Sequence, residues 1–128
     1  MILKNQLYQI EHSQEGEGTK LFTIRLLKDC PIYRAHFPGQ PITPGVCIVQ
    51  IVQELLEQIV GQTLEINEVK NVKFLNILTP TDNPEVDIVF TAIETGNGSV
   101  SAKAEVKDAT TEFTTVSIVC EPVERSTH

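Results

Sequence analysis

Apolar and polar residues alternate along most of this chain with a period of two, and the alternation breaks in one stretch. Residues 2–11 read as a strand. "TKLFTIRLLK" reads as a second, with Leu21, Thr23, Arg25 and Leu27 on one side and Phe22, Ile24 and Leu26 on the other. "GEG" at 16–18 is the turn between them. Downstream, "EINEVKNVKFLNIL", "EVDIVFTAIE", "SVSAKAEVKD" and "TEFTTVSIVCEPV" read as further strands, and the third of these places Val100, Ala102, Ala104 and Val106 on one face. "TPTDNP" and "TGNG" are turns, the second carrying the Asn-Gly hairpin signal. Residues 29–43 read as a proline-rich loop.

The break lies at 44–60, "PGVCIVQIVQELLEQIV". Its β-branched start suits a buried strand, but the flanks and the second half specify a helix. Thr43 is a good N-cap, Pro44 fits the first helical position, "QELLEQ" supplies helix formers, and Gly61 stands where a C-terminal glycine stops the element. Such a helix is about 25 Å long. Its first turns are apolar almost all round, which predicts burial on most sides. One long helix with about six strands, sequentially antiparallel, makes an α+β fold in which a curved sheet wraps round the helix. "DIVFTAI" is apolar on both faces, so a dimer is expected to cover what one layer cannot bury.

The 128 residues fit a single domain over 1–128, with its core at about 5–123. A net charge of -7 argues against nucleic acid or an anionic membrane as the main partner. Arg34, Lys70 and Lys73 could form a local basic patch or be scattered solvated charge. Cys30, Cys47 and Cys120 are an odd count without metal-ligand spacing, and Cys47 and Cys120 sit in apolar runs as small core residues. "MILKNQLYQIEH" has no unbroken apolar region of the secretory kind, and no segment reaches the ~18 apolar residues of a membrane span. A reduced, cytoplasmic protein is expected.

The chemistry concentrates in "HFPGQPITPGVCIVQ", residues 36–50. With Thr43 as the cap and Pro44 lacking an N–H, the Gly45 N–H is left at the positive end of a helix dipole. Without a Cβ at Gly45, a ligand oxygen can approach that donor closely. Pro38, Pro41 and Pro44 stiffen the loop and hold His36 relative to it. The same residues also fit a tight turn that merely starts a helix beside a surface histidine.

"HFPGQPITPGV" resembles the active-site signature of the FabZ/FabA group of β-hydroxyacyl-acyl-carrier-protein dehydratases, His-Phe-Pro-Gly-x-Pro-x-x-Pro-Gly-Val, which leads into the central helix of the hot-dog fold. "VKFLNILTPTDNPEVDI" is similar to that family's later strand-turn-strand. The resemblance spans about residues 5–120. It implies that His36 is the general base removing a proton from C2 of a 3-hydroxyacyl thioester, and that Gly45 donates to the thioester carbonyl. It also implies an acyl site lined by Phe37, Val46 and Val49.

The family carries an Asp or Glu fourteen residues after the histidine, where this chain has Gln50; one turn later, where FabZ-type members usually carry glutamine, it has Glu54. Three arrangements are open: Glu54 replaces the acid, His36 makes both proton transfers, or the protein binds acyl groups or pairs with a related subunit and catalyses little. The leading expectation is dehydration of a 3-hydroxyacyl thioester on acyl carrier protein to a trans-2-enoyl thioester, in fatty-acid or specialised lipid synthesis. Thioester hydrolysis and an accessory acyl-binding role are the alternatives. No metal or organic cofactor is implied. The expected partners are acyl carrier protein and a second subunit, as a homodimer, a heterodimer or a higher oligomer.

Overall fold

A computed structural model describes residues 2–35 and 39–123. Six strands, β1 (Tyr8–Gly16), β2 (Thr19–Leu26), β3 (Leu64–Phe74), β4 (Glu85–Gly96), β5 (Ser99–Lys107) and β6 (Glu112–Pro122), form one antiparallel sheet in the order β1-β2-β4-β5-β6-β3. Two helices, α1 (Pro31–Ala35) and α2 (Gly45–Val60), lie between β2 and β3 in the chain.

The period-two pattern does what it predicts. Phe22, Ile24 and Leu26 of β2, with Val100, Ala102, Ala104 and Val106 of β5, bury on the sheet face that meets Ile48, Ile51, Val52, Leu55 and Leu56 of α2. Burying each large side chain stabilises the fold by about 1.5–3 kcal/mol. This is the hot-dog arrangement, a sheet against one long central helix. Among the described residues no helix is long and apolar enough to cross a membrane.

Five expectations change. The first strand begins at Tyr8, not at residue 2. Asn5 adopts a left-handed conformation (φ 65°), and the Leu7 N–H donates to the Leu3 carbonyl, so residues 3–7 make a turn that buries Leu3 and Leu7. The 29–43 stretch is not all loop: Pro31 opens the short helix α1, a favoured place for proline, and Tyr33 buries from it. Strand succession is not a simple meander either, because β3 crosses to the far edge and pairs with β6.

The other two changes concern α2. Thr43 does not cap it. Pro44 is the N-cap residue, in extended conformation, and its carbonyl accepts from the Cys47 and Ile48 N–H groups. The Thr43 hydroxyl is instead buried 2.9 Å from the Tyr33 hydroxyl. Nor is the first turn buried on most sides, since Val46 is 75% exposed. Gly61 ends the helix as expected, left-handed, with its N–H on the Glu57 carbonyl.

The two-faced "DIVFTAI" has a local cause. A β-bulge between Phe90 and Ala92 shifts the parity of β4, so Val86, Ile88, Phe90 and then Ile93 all pack towards the core.

All three thiols are free and buried. Burial pushes the Cys120 thiol up to about 11 and the Tyr33 hydroxyl up to about 12. In the unfolded chain the thiol ionises near pH 8.5, about two units lower. Above that point the unfolded state binds fewer protons than the folded state, so stability falls as pH rises. Urea unfolding between about pH 8 and pH 11 should show this decline, approaching about 1.4 kcal/mol per pH unit for one thiol, and Cys120→Ala should make it shallower, leaving the part that comes from Cys47, whose thiol burial also raises.

Candidate active site at the start of the central helix

Gly45 is the first residue of α2, and its position is held from two sides. The Thr43 N–H donates to the Leu78 carbonyl at 2.8 Å, and the Thr43 hydroxyl meets Tyr33 of α1. The proline that follows has no N–H to satisfy. Within α2 the first amides to find a carbonyl are those of Cys47 and Ile48; those of Gly45 and Val46 have no acceptor among the described residues. Two N–H groups thus stand at the positive end of a 16-residue helix.

Glycine at 45 leaves room for a neighbouring ring. A Cβ on it would lie 2.5 Å from Cζ of Phe74, at the end of β3. The Phe74 ring therefore lies against the Gly45 backbone while remaining 58% exposed on its other side. Val46 and Ile77, the latter 66% exposed, are further exposed apolar side chains. Beside it, a depression of about 460 Å³ opens between Gly39–Ile42 and the turn at Thr79–Asn83. A larger hollow of about 510 Å³ opens towards the opposite end of α2, between Lys4, Glu54, Glu57 and Thr63, so Glu54 lines this one and not the depression near the helix start. Ile42 and Ile77 of the smaller one are next in sequence to Thr43 and Leu78, which are hydrogen-bonded just before the helix start.

Of the residues singled out from sequence, Val49 is half-buried and packs against the core, Val46 faces outward, and Gln50 is half-buried. His36 and Phe37 lie outside the described residues; α1 ends at Ala35, immediately before them.

Glu54 is held by four donors. Its Oε2 accepts from the Leu3 N–H at 2.8 Å and from Nε2 of Gln50 at 2.9 Å. Its Oε1 accepts from the Lys4 N–H and from the Tyr8 hydroxyl, both at 2.9 Å. Burial, then the negative charge of Glu54, pushes the Tyr8 hydroxyl far above its ordinary value, so it stays a donor. The carboxylate closes the N-terminal turn onto α2. Sequence reasoning could not find this, because two of the donors are main-chain amides about fifty residues away. The Phe74 contact had a partial signal in the Lys73-Phe74 pair, which names the residue but not its target.

Gly45→Ala should drive the new methyl into the Phe74 ring and cost about 1–3 kcal/mol, as overpacking does. Phe74→Ala in the same chain should return part of that loss, because the obstruction is the ring. Thermal unfolding of the two single variants and the double variant checks the pair; additive losses would mean that the contact is not the cause.

Residues 11–113 match the ApeI-like family, described as ApeI dehydratase. The 3-hydroxyacyl-[acyl-carrier-protein] dehydratase FabZ of Acetivibrio thermocellus is 28% identical over 112 residues, covering 82% of this chain and 74% of that protein. FabZ of Clostridium acetobutylicum is 28% identical over 123 residues, covering 83% and 84%. Among solved structures, a chain of the dehydratase heterocomplex ApeI:P from Xenorhabdus doucetiae superposes with a TM-score of 0.69 at 16% identity, over 88% of this chain and 96% of that one. A thioesterase-like protein, yhdA from Lactococcus lactis, superposes with a TM-score of 0.64 at 13% identity, over 95% and 96%. These superpositions carry the hot-dog fold. The family match spans the helix start and Gly45, and the chain belongs to the ApeI-like dehydratase family.

Proposed function

We propose that the protein removes water from a 3-hydroxyacyl thioester carried on acyl carrier protein, giving a trans-2-enoyl thioester. The observation that carries this is the Gly45 N–H, left without an acceptor among the described residues at the head of α2. It polarises the thioester carbonyl, and the helix dipole adds to the stabilisation of the enolate-like charge. Neutral His36 takes a proton from C2. The C2–H electron pair becomes the new double bond, and the C3–O bond breaks. The departing oxygen receives a proton from the His36 imidazolium, so one water leaves and His36 returns neutral.

His36 carries both protons because neither helix residue offers one. Gln50 is an amide, and both Glu54 oxygens already serve as acceptors. A second subunit is part of the reading. Val46, Phe74 and Ile77 form an apolar surface at the site, and β3 is an edge strand beside it. The three free cysteines support a reducing, cytoplasmic setting. The second reading, a weakly active accessory subunit, is favoured by Gln50 at the acid position.

Mixing the protein with a 3-hydroxyacyl thioester on carrier protein should raise the ultraviolet absorbance of the conjugated enoyl product. Thiol release without that rise would mean hydrolysis, and silence in both channels would mean the accessory role. His36→Ala should lower turnover by about 10²-fold or more; full activity in that variant would remove His36 as the base. The wild-type rate should climb with pH through the imidazole range, near pH 6.5, and then stay level. Gln50→Glu should help most on the acid side, since a carboxyl donates only while protonated. Light scattering should give at least a dimer, and a strict monomer with full activity would remove the second subunit from the site.

A further inference from the structure

Among the described residues, the Thr114 hydroxyl is the one buried side-chain polar atom without a hydrogen-bond partner, and Thr114 is fully buried. A hydroxyl left unpaired in the core costs stability, and a valine of nearly the same shape would not carry that cost. Thr114 belongs to β6, on the face that Val116, Ile118 and Cys120 bury towards α2. Its direct partner across the ladder to β3 is Phe74, on the same face, where opposed side chains stand about 5 Å apart.

The helix runs along these two strands. Its second half is tied to Leu64 at the start of β3: the Gln53 amide donates to the Leu64 carbonyl at 2.8 Å, and the Leu64 N–H donates to the Glu57 carboxylate at 2.7 Å. Its head lies at the other end of β3, where Cζ and Cε1 of Phe74 come within 2.5 and 2.9 Å of the place a Gly45 Cβ would take. The Phe74 side chain thus begins beside the buried hydroxyl and ends on the Gly45 backbone. It fills the space between that hydroxyl and an amide that has no acceptor among the described residues. The ring is 58% exposed and does not belong to the buried core, so a turn about its Cα–Cβ bond carries it outward. What it leaves is a slot with an N–H at one end and a hydroxyl at the other.

We propose that Thr114 is a substrate-binding residue behind a Phe74 lid: with the ring turned out, a 3-hydroxyacyl thioester sets its carbonyl oxygen on the Gly45 N–H and its C3 hydroxyl against the Thr114 hydroxyl. This deepens the dehydratase reading and rests on it for the substrate class. The substrate carries its two oxygens on carbons two apart. One only accepts and the other donates or accepts, which matches a slot that offers an N–H and a hydroxyl. Thr114 moves no proton; it distinguishes an acyl chain with an oxygen on C3 from one without.

The test uses 3-hydroxyhexanoyl and hexanoyl aminopantetheine, amide analogues in which nitrogen replaces the thioester sulfur and C2–H is too weakly acidic to be lost. By calorimetry the wild type should bind the hydroxylated analogue about fivefold more tightly, the scale of one net hydrogen bond. Thr114→Val should bind the two equally, and Thr114→Ser should keep the preference. A wild type without the preference, or a preference that survives in Thr114→Val, would overturn the proposal. So would equal weakening of both analogues in Thr114→Val, which would put the carbonyl at Thr114, and so would failure of either analogue to bind at millimolar concentration.

Without ligand, Thr114→Val should melt about 2–5 °C higher than the wild type, because it removes an unpaired buried hydroxyl; a lower melting temperature would show that the hydroxyl serves the fold, against the proposal. Phe74→Ala should bind both analogues more tightly and keep the preference, since no ring has to turn, and weaker binding of both would remove the lid. A preference that depends on Thr114 in a protein that turns over no 3-hydroxyacyl thioester would keep the slot and remove the dehydratase reading, whereas turnover without the preference would do the reverse.

Discussion

The Phe74 ring lies against the backbone of residue 45, and everything at the site follows from what that contact allows. A Cβ at 45 would meet the far end of that ring as it stands, and the first turn of α2 opens on a bare main chain. Pro44, which cannot donate, precedes it, and the Thr43 hydroxyl that could have covered the turn is committed to Tyr33. The Pro44 carbonyl accepts from the Cys47 and Ile48 amides, which leaves those of Gly45 and Val46 without an acceptor among the described residues. The ring, the proline and the diverted threonine all meet at this first turn.

At the other end of the same stripe, Glu54 works by accepting. A carboxylate that gathers two main-chain amides, a phenol and an amide side chain resembles a rivet more than an acid. Its partners come from the N-terminal turn and from the helix, so it ties the first residues of the chain to its central element. Removing it would leave several donors unpaired in a half-buried place, which is the costly direction of any hydrogen-bond deletion.

The fold was legible where side chains decide the outcome. The alternation in Val100, Ala102, Ala104 and Val106 mapped directly onto a buried face, and Gly61 marked the helix end. Features decided by main-chain groups were not legible. The turn at Leu3–Leu7 forms because Asn5 takes a left-handed conformation and distant Glu54 captures the amides of Leu3 and Lys4, and neither fact shows in a hydropathy pattern. The short α1 was hidden in a proline-rich stretch although Pro31 marks its first position. The apparent two-faced strand was a bulge, which parity counting without a partner strand cannot see. At the site, the chemistry of Gly45 could be anticipated from residue types, but the ring that enforces it came from β3, nearly thirty residues on.

The crossing of β3 to the far edge has a consequence for how the chain comes together. β3 pairs with β6 alone among the described strands, and that ladder joins Leu64 to Pro122 and Phe74 to Thr114. Local hairpins such as β1–β2 and β4–β5 can close early, whereas this ladder has to wait for a long loop to be ordered. Phe74, which shapes the helix start, sits at one end of it. During synthesis the last dozen residues of the sheet therefore complete an element made some fifty residues earlier, and a chain cut short before β6 would carry the Gly45 signature without the strand pairing that brings Phe74 to it.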